Sequence, residues 1–187
     1  QTCALPICVK VATVIDGDTL RLVDGRSVRL IGLNATEMGR KGRSAEPFAV
    51  AARNRLQSLV STNDGYVGIR IGRQSRDHYG RVLAHAFDKH GENLEAQMLA
   101  EGLGFFVAIA PNVSLAECQR AAELQARSAG KGVWRQPPVI AADSVRGGGF
   151  AIVRARVERM ETNRGGVWLE LGGSLVVKIP PQVVAAF

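Results

Sequence analysis

Four separated stretches place charged residues where the chain must turn or where a strand ends: Asp16-Gly17-Asp18-Thr19, Arg29, Asn34 to Glu37, and Asp77 to Arg81. Brought to one mouth of a small barrel, they would offer hard oxygen ligands for Ca²⁺ or Mg²⁺. They would also supply a carboxylate to position or deprotonate water, and two guanidinium groups to hold a phosphate. Taken singly, each has a plainer reading. Asp16-Gly17-Asp18 is a turn, a strand arginine is a solvated face residue, and the basic run Arg40-Lys41-Gly42-Arg43 is a soluble loop. Their combination in this order is what points to phosphate chemistry.

The elements that would carry these residues are legible from periodicity. Val9, Val11, Thr13 and Ile15 alternate with Lys10, Ala12 and Val14 as a first strand that closes at Asp16-Gly17-Asp18. Leu20 and Leu22 flank Arg21, Asp24-Gly25 supplies a two-residue hairpin turn, and Val28 and Leu30 flank Arg29 on the return. Arg29 therefore belongs on the face opposite Val28 and Leu30. Asn34 to Pro47 has no apolar period and reads as a mobile, positively charged loop, with Ser44 capping the helix that follows.

That helix carries Phe48, Ala52, Leu56, Leu59 and Val60 at helical spacing, suited to covering a sheet. Further strands fall at Val67 to Ile71 and from Arg81 onward, and Leu94, Met98, Leu99 and Leu103 mark a short helix broken by Gly102. Ser114 and Glu117 make a capping box for a last helix through Cys118, Ala121, Leu124 and Gln125, ending near Gly130-Lys131-Gly132. Hairpin signals dominate and the connections are too short for crossovers, so a small Greek-key barrel with helices fits better than a parallel sheet.

The organisation changes after residue 135. Residues 9–135 read as one barrel domain and 136–149 as a linker ending in glycines. Residues 150–187 read as an incomplete β-rich domain with strands at Phe150 to Glu158, Val167 to Leu171 and Leu175 to Ile179. Residues 1–8 read as non-native and are set aside. The chain has 187 residues and a net charge of +7, which favours an anionic partner: nucleic acid, an acidic membrane surface or a cell-wall polymer. No apolar run is long enough for a membrane-spanning helix. Cys3, Cys8 and Cys118 offer no metal spacing or disulfide framework, and Cys118 reads as a buried, inert thiol. His78, His85 and His90 lack zinc-site spacing.

Val14-Ile15-Asp16-Gly17-Asp18-Thr19-Leu20, Arg29-Leu30-Ile31-Gly32-Leu33-Asn34-Ala35-Thr36-Glu37, Asp77-His78-Tyr79-Gly80-Arg81 and Gly102 to Asn112 resemble, in order, the signatures of the staphylococcal nuclease (thermonuclease) family. The resemblance runs from about Val9 to Trp134. It implies an α+β fold, a five-stranded oligonucleotide/oligosaccharide-binding barrel with three helices. It also implies a Ca²⁺-dependent endonuclease acting on DNA and RNA with little sequence specificity, leaving a 5′-hydroxyl and a 3′-phosphate.

Carried over residue by residue, Asp18, Asn34 and the Ala35 carbonyl stand at the metal. Glu37 stands at the attacking water, and Arg29 and Arg81 at the scissile phosphate. Arg40, Lys41, Arg43, His78 and Tyr79 stand where substrate is held. The family also implies a monomer that is secreted or associated with the cell envelope.

Departures from the pattern carry their own expectations. Asn34 stands where the family has a second metal-binding aspartate, so the site loses a formal charge and should hold Ca²⁺ more weakly. Thr36 replaces the usual proline. Val107 and Ile109 replace tyrosines that flank the nucleotide, which leaves a poorer stacking wall. Two rival readings follow: a nucleic-acid-binding module that lost catalysis with Asn34, and an envelope-associated scaffold working through its second β domain. The resemblance of residues 150–187 to the start of another such barrel rests on strands and turns alone.

Overall fold

A computed structural model describes residues 6–39, 42, 44–147, 150–173 and 175–181 of the chain. The chain divides into two units, 1–136 and 137–187. Among the described residues, no helix is long and apolar enough to cross a membrane.

In the first unit, strands β1 (Ile7–Asp16), β2 (Thr19–Leu22) and β3 (Ser27–Leu30) form the expected meander. A short β4 (Leu33–Asn34) precedes helix α1 (Ala49–Thr62), and β5 (Tyr66–Arg76) and β6 (Val82–Phe87) follow. Then come α2 (Leu94–Ala100), a short β7 (Phe105–Phe106) and α3 (Ala116–Ser128). The five long strands close into a barrel in the order β1-β2-β3-β6-β5, as the barrel reading requires. Every ladder of the barrel is antiparallel except β3–β6, where Val28, Arg29 and Leu30 lie parallel to Val82, Leu83 and Ala84.

Apolar residues explain the closure. Val14, Leu20, Leu22, Val28, Leu30, Val67, Ile69, Val82, Ala84 and Ala86 point inward, while Ala52, Leu56, Leu59 and Val60 of α1 and Leu94, Met98 and Leu99 of α2 complete the core. Each large aliphatic side chain so buried contributes about 1.5–3 kcal/mol, and together they hold the strand ends in fixed relation.

Several local expectations are corrected. β1 begins at Ile7 rather than Val9, with Ile7 and Cys8 laddered to Ile69 and Gly68. Its face switches as well. Bulges between Val11 and Thr13 and between Val14 and Asp16 bury Val14 and expose Thr13. The β2–β3 turn has three residues rather than two: Leu22 N–H donates to Arg26 O, and Gly25 takes φ +88°.

Ser44 does not cap α1. That helix starts at Ala49 behind Phe48, whose φ is +68°. α3 has Leu115 at its N-cap with no side-chain cap, so the Ser114–Glu117 box is not formed. Its buried face is Gln119, Glu123 and Ala126, which leaves Cys118 exposed.

In the second unit, β8 (Val139–Ala141) lies in the stretch read as linker and pairs in parallel with β9 (Ile152–Arg154). A three-stranded antiparallel sheet follows, made of β10 (Arg159–Asn163), β11 (Gly166–Glu170) and β12 (Val176–Ile179). The single strand expected over 150–158 is thus confined to Ile152–Arg154, and the next begins at Arg159. Trp168 Nε1 donates to Asn163 Oδ1 at 3.2 Å, and Lys178 Nζ lies 4.9 Å from the Trp168 ring centre.

Candidate active site

The turn between β1 and β2 is pressed into the fold. A Cβ at Gly17 would lie 2.6 Å from the methyl groups of both Ala35 and Ala52, so only glycine lets this turn approach the loop after β4 and the wall of α1. Asp16 Oδ1 accepts the Asp18 N–H at 3.1 Å and closes the turn. Asp18 is then directed inward at 7 % exposure. Its Oδ2 accepts the Ala35 N–H at 2.8 Å, and its Oδ1 accepts the Thr19 hydroxyl at 3.0 Å.

Arg29 stands opposite Thr19 in the β2–β3 ladder, with Val28 and Leu30 buried on the other face as the alternation requires. Its guanidinium is held at four points. One terminal nitrogen donates to the carbonyls of Leu30 at 2.8 Å and Leu33 at 2.6 Å; the other donates to Asn34 Oδ1 at 3.1 Å and lies 3.2 Å from Asp18 Oδ2. The β4–β7 pairing, Leu33 with Phe106 and Asn34 with Phe105, fixes the strand end that supplies these acceptors. Burial pushes the Asp18 carboxyl up to about 6; Arg29 pulls it down and the neighbouring Asp16 charge raises it.

Arg81 is set by a second acidic turn. Asp77 Oδ1 accepts the N–H groups of Tyr79 and Arg81, each at 2.9 Å, and its Oδ2 accepts Arg81 Nε at 2.7 Å. Burial works to raise the Asp77 carboxyl, but the Arg81 bonds and the turn N–H groups outweigh it and hold the carboxyl below its usual range. The Arg81 guanidinium carbon lies 5.5 Å from the Tyr79 ring centre, and the His78 and Tyr79 rings are 3.7 Å apart.

A cavity of about 380 Å³ brings these parts together. Arg29, Asp77 and Arg81, with His78, form its polar side, and Leu83, Val107 and Ile109 its aliphatic wall. Two arginines more than fifty positions apart in sequence thus border one opening, with Asp18 and Asn34 behind the first.

Glu37 is less tightly placed. Its backbone is latched to Glu46, which accepts the Glu37 N–H on Oε2 at 2.8 Å and donates its own N–H to Glu37 O at 3.0 Å. The Glu37 side chain is exposed and makes no hydrogen bond or ion pair with Asp18, Arg29 or Arg81 among the described residues. Arg40, Lys41 and Arg43 lie outside the described residues.

The Asp18 carboxylate and Asn34 Oδ1 at this rim are hard-cation ligands in kind, and Ala35, whose N–H meets Asp18, offers the carbonyl that follows in the chain. In the same segment Thr36 Oγ1 is buried with no hydrogen-bond partner among the described residues. Among the described residues no three His, Cys, Asp or Glu side chains converge on one point, so such a site would lean on neutral oxygens. The donor set fits Ca²⁺ in type, with Asp18 supplying the charge, but Asn34 Oδ1 and Asp18 Oδ2 are both engaged by Arg29, so an ion would have to displace that guanidinium from them.

The sequence reading did not identify the layer behind this rim. Gln119 Nε2 donates to Ile31 O at 2.9 Å, just before the segment that carries Asn34. Around it lie His85, Asn93 and Glu95, all buried. Glu95 accepts the Ala86 N–H at 3.0 Å and the Asn93 side-chain amide, and its Oε1 lies 3.5 Å from His85 Nδ1. The signal that could have found it is Gln119 and Glu123, four apart on α3, each long enough to reach backbone across the helix–loop contact.

The family model described as staphylococcal nuclease homologue matches residues 27–136. A thermonuclease of Staphylococcus hyicus is 30 % identical over 129 residues, spanning 67 % of this chain and 74 % of its own. A thermonuclease of Staphylococcus intermedius is 28 % identical over 129 residues, with 67 % and 75 % spanned. Endonuclease YhcR of Bacillus subtilis is 23 % identical over 134 residues, which cover 66 % of this chain but 11 % of that much longer protein.

Proposed function

The chain belongs to the staphylococcal nuclease family and is a nuclease, and from that premise we propose that it cuts DNA and RNA with little sequence preference at the rim of Asp18, Arg29, Asn34, Glu37 and Arg81. The observation that carries this reading is the cavity shared by Arg29 and Arg81, with a buried carboxylate directly behind the first arginine.

In this mechanism Arg29 and Arg81 grip the non-bridging oxygens of the scissile phosphate and meet the charge that grows there as water attacks. The carbonyls of Leu30 and Leu33, Asn34 Oδ1 and the Asp18 carboxylate fix the plane of Arg29 and engage its terminal N–H donors, so it grips the phosphate through its remaining Nε–H or by exchanging some of these bonds. Glu37 orients the water and takes its proton as the new P–O bond forms. The opposite P–O5′ bond breaks, and its electron pair leaves on the 5′ oxygen, which takes a proton from solvent water to become a hydroxyl while the phosphate stays on the 3′ side. Asp18, the Asn34 amide oxygen and the Ala35 carbonyl would hold Ca²⁺. Bound there, the ion would supply further charge stabilisation at the phosphate. Leu83, Val107 and Ile109 give the nucleotide an apolar wall without a ring to stack on, so base stacking there adds little affinity.

Digestion of plasmid and single-stranded DNA, with and without Ca²⁺, tests this reading. Wild type should cut weakly and respond to Ca²⁺, Asn34→Asp should cut faster, and Glu37→Gln should lose about 10²-fold or more. Intact DNA binding with no cutting by either wild type or Asn34→Asp would overturn it.

A further inference from the structure

Arg81 borders more than the cavity. On its other side a groove lined by Asp16, Thr19, Arg21, Ser27 and Tyr79 leads away from the rim, and Arg81 forms part of its wall. The groove passes into a second hollow that again includes Arg21, Tyr79 and Arg81 and adds Arg26, Arg76 and Gly80. Cavity, groove and hollow are thus strung along one face of the β2–β3 hairpin and the Asp77–Gly80 turn.

The charges along this path are unequal. Arg26 is paired with Asp24 at 2.7 Å and Arg81 with Asp77 at 2.7 Å. Asp16 has one oxygen on the Asp18 N–H. Arg21 and Arg76 have no carboxylate partner among the described residues. Each instead places one terminal N–H on the carbonyl of a turn glycine, Arg21 on Gly25 at 3.1 Å and Arg76 on Gly80 at 2.7 Å. A single carbonyl bond orients a guanidinium while leaving its full charge and its other donors outward, the state suited to an incoming phosphate.

We propose that this groove is an extension subsite for single-stranded polynucleotide, in which Arg21 and Arg76 hold backbone phosphates of the strand that continues past the scissile one. The proposal rests on the nuclease reading of the rim and deepens it: the preferred ligand is a strand longer than the cavity alone can hold. Contacts of this kind are to the backbone, so they add affinity and salt dependence without base preference.

Fluorescence anisotropy on the full chain carrying Glu37→Gln, which suppresses cutting, provides the test with two ligands, a dinucleotide and a twelve-nucleotide single strand. Adding Arg21→Ala or Arg76→Ala should weaken binding of the longer strand about fivefold at 0.1 M salt and lower its salt slope by about 0.7 each. Dinucleotide affinity should stay as in the parent, and Arg21→Lys should recover most of the loss. Unchanged affinity for the longer strand in both alanine variants overturns the groove while leaving the rim intact. Equal weakening of both ligands also overturns it, because the arginines would then act on the rim itself. Failure of the parent to bind either ligand contradicts the phosphate site and the groove together.

Discussion

Asp18 and Glu95 are both buried carboxylates of the barrel unit, and burial raises both above the ordinary range. Their surroundings differ. Asp18 lies at the rim against Arg29, the Thr19 hydroxyl and the Ala35 N–H, one layer behind an open cavity. Glu95 is fully enclosed and meets the Ala86 N–H, the Asn93 amide and the His85 ring. The same desolvation cost thus serves two ends. At the rim it places a carboxylate where an arginine or a cation can answer it; in the interior it ties helix α2 to strand β6.

Gln119 joins the two clusters. Its amide donates to Ile31 O and lies 3.4 Å from both His85 Nδ1 and Asn93 Oδ1. A Cβ at Gly32, whose φ is +90°, would fall 1.9 Å from Gln119 Oε1, so the chain reaching Asn34 runs directly over this side chain. The interior cluster sets the height of the rim.

Variants at the two carboxylate sites should therefore fail in different ways. The largest effect belongs to the rim. Arg81→Ala should lower kcat about 10²- to 10³-fold with little change in melting temperature, measured on single-stranded DNA. Equal losses of activity and stability would merge the two roles. Glu95→Ala should instead cost about 2–4 kcal/mol of unfolding free energy, since it opens a void and leaves the Ala86 N–H and the Asn93 amide unanswered. Denaturant unfolding reads this directly.

A smaller effect concerns Ca²⁺ alone. Asn34→Asp should raise its affinity at least about tenfold by calorimetry, the return of one charge close to the ion. The smallest is a pH slope. Because burial holds Glu95 above its ordinary value of 4.5, the unfolded chain releases this proton first. Stability should fall as pH rises through that value and level off once folded Glu95 ionises. In Glu95→Gln this component of the slope should vanish, as unfolding curves across the acid range would show.

How far the sequence revealed these sites depended on the kind of contact involved. Alternation in Val28-Arg29-Leu30 was enough to turn Arg29 away from the core, and the order of the acidic turns and arginines pointed to one rim. Apolar periodicity put Cys118 on the buried side of α3, whereas the buried face is Ala126 with two polar residues, Gln119 and Glu123, each satisfied by backbone. Gln119 donates to Ile31 O, and Glu123 accepts the Phe106 N–H at 2.7 Å.

Ser114 illustrates a related competition. Local spacing made it a helix cap, but its hydroxyl lies 3.3 Å from His85 Nε2, a partner 29 positions away. The parallel β3–β6 pairing and the β4–β7 pair are equally non-local. The bulges of β1 moved Val14 inward against the simple alternation. Glu37 was legible as a residue type, but its exposed side chain depends on a loop that local pattern does not determine.

The central claim is that Arg29 and Arg81 hold one phosphate between them. Its most direct test is a crystal structure of the Glu37→Gln variant with a bound trinucleotide. One phosphate should lie in the shared cavity within hydrogen-bond distance of both guanidinium groups. A trinucleotide whose phosphates all lie beyond reach of one of these arginines would contradict it.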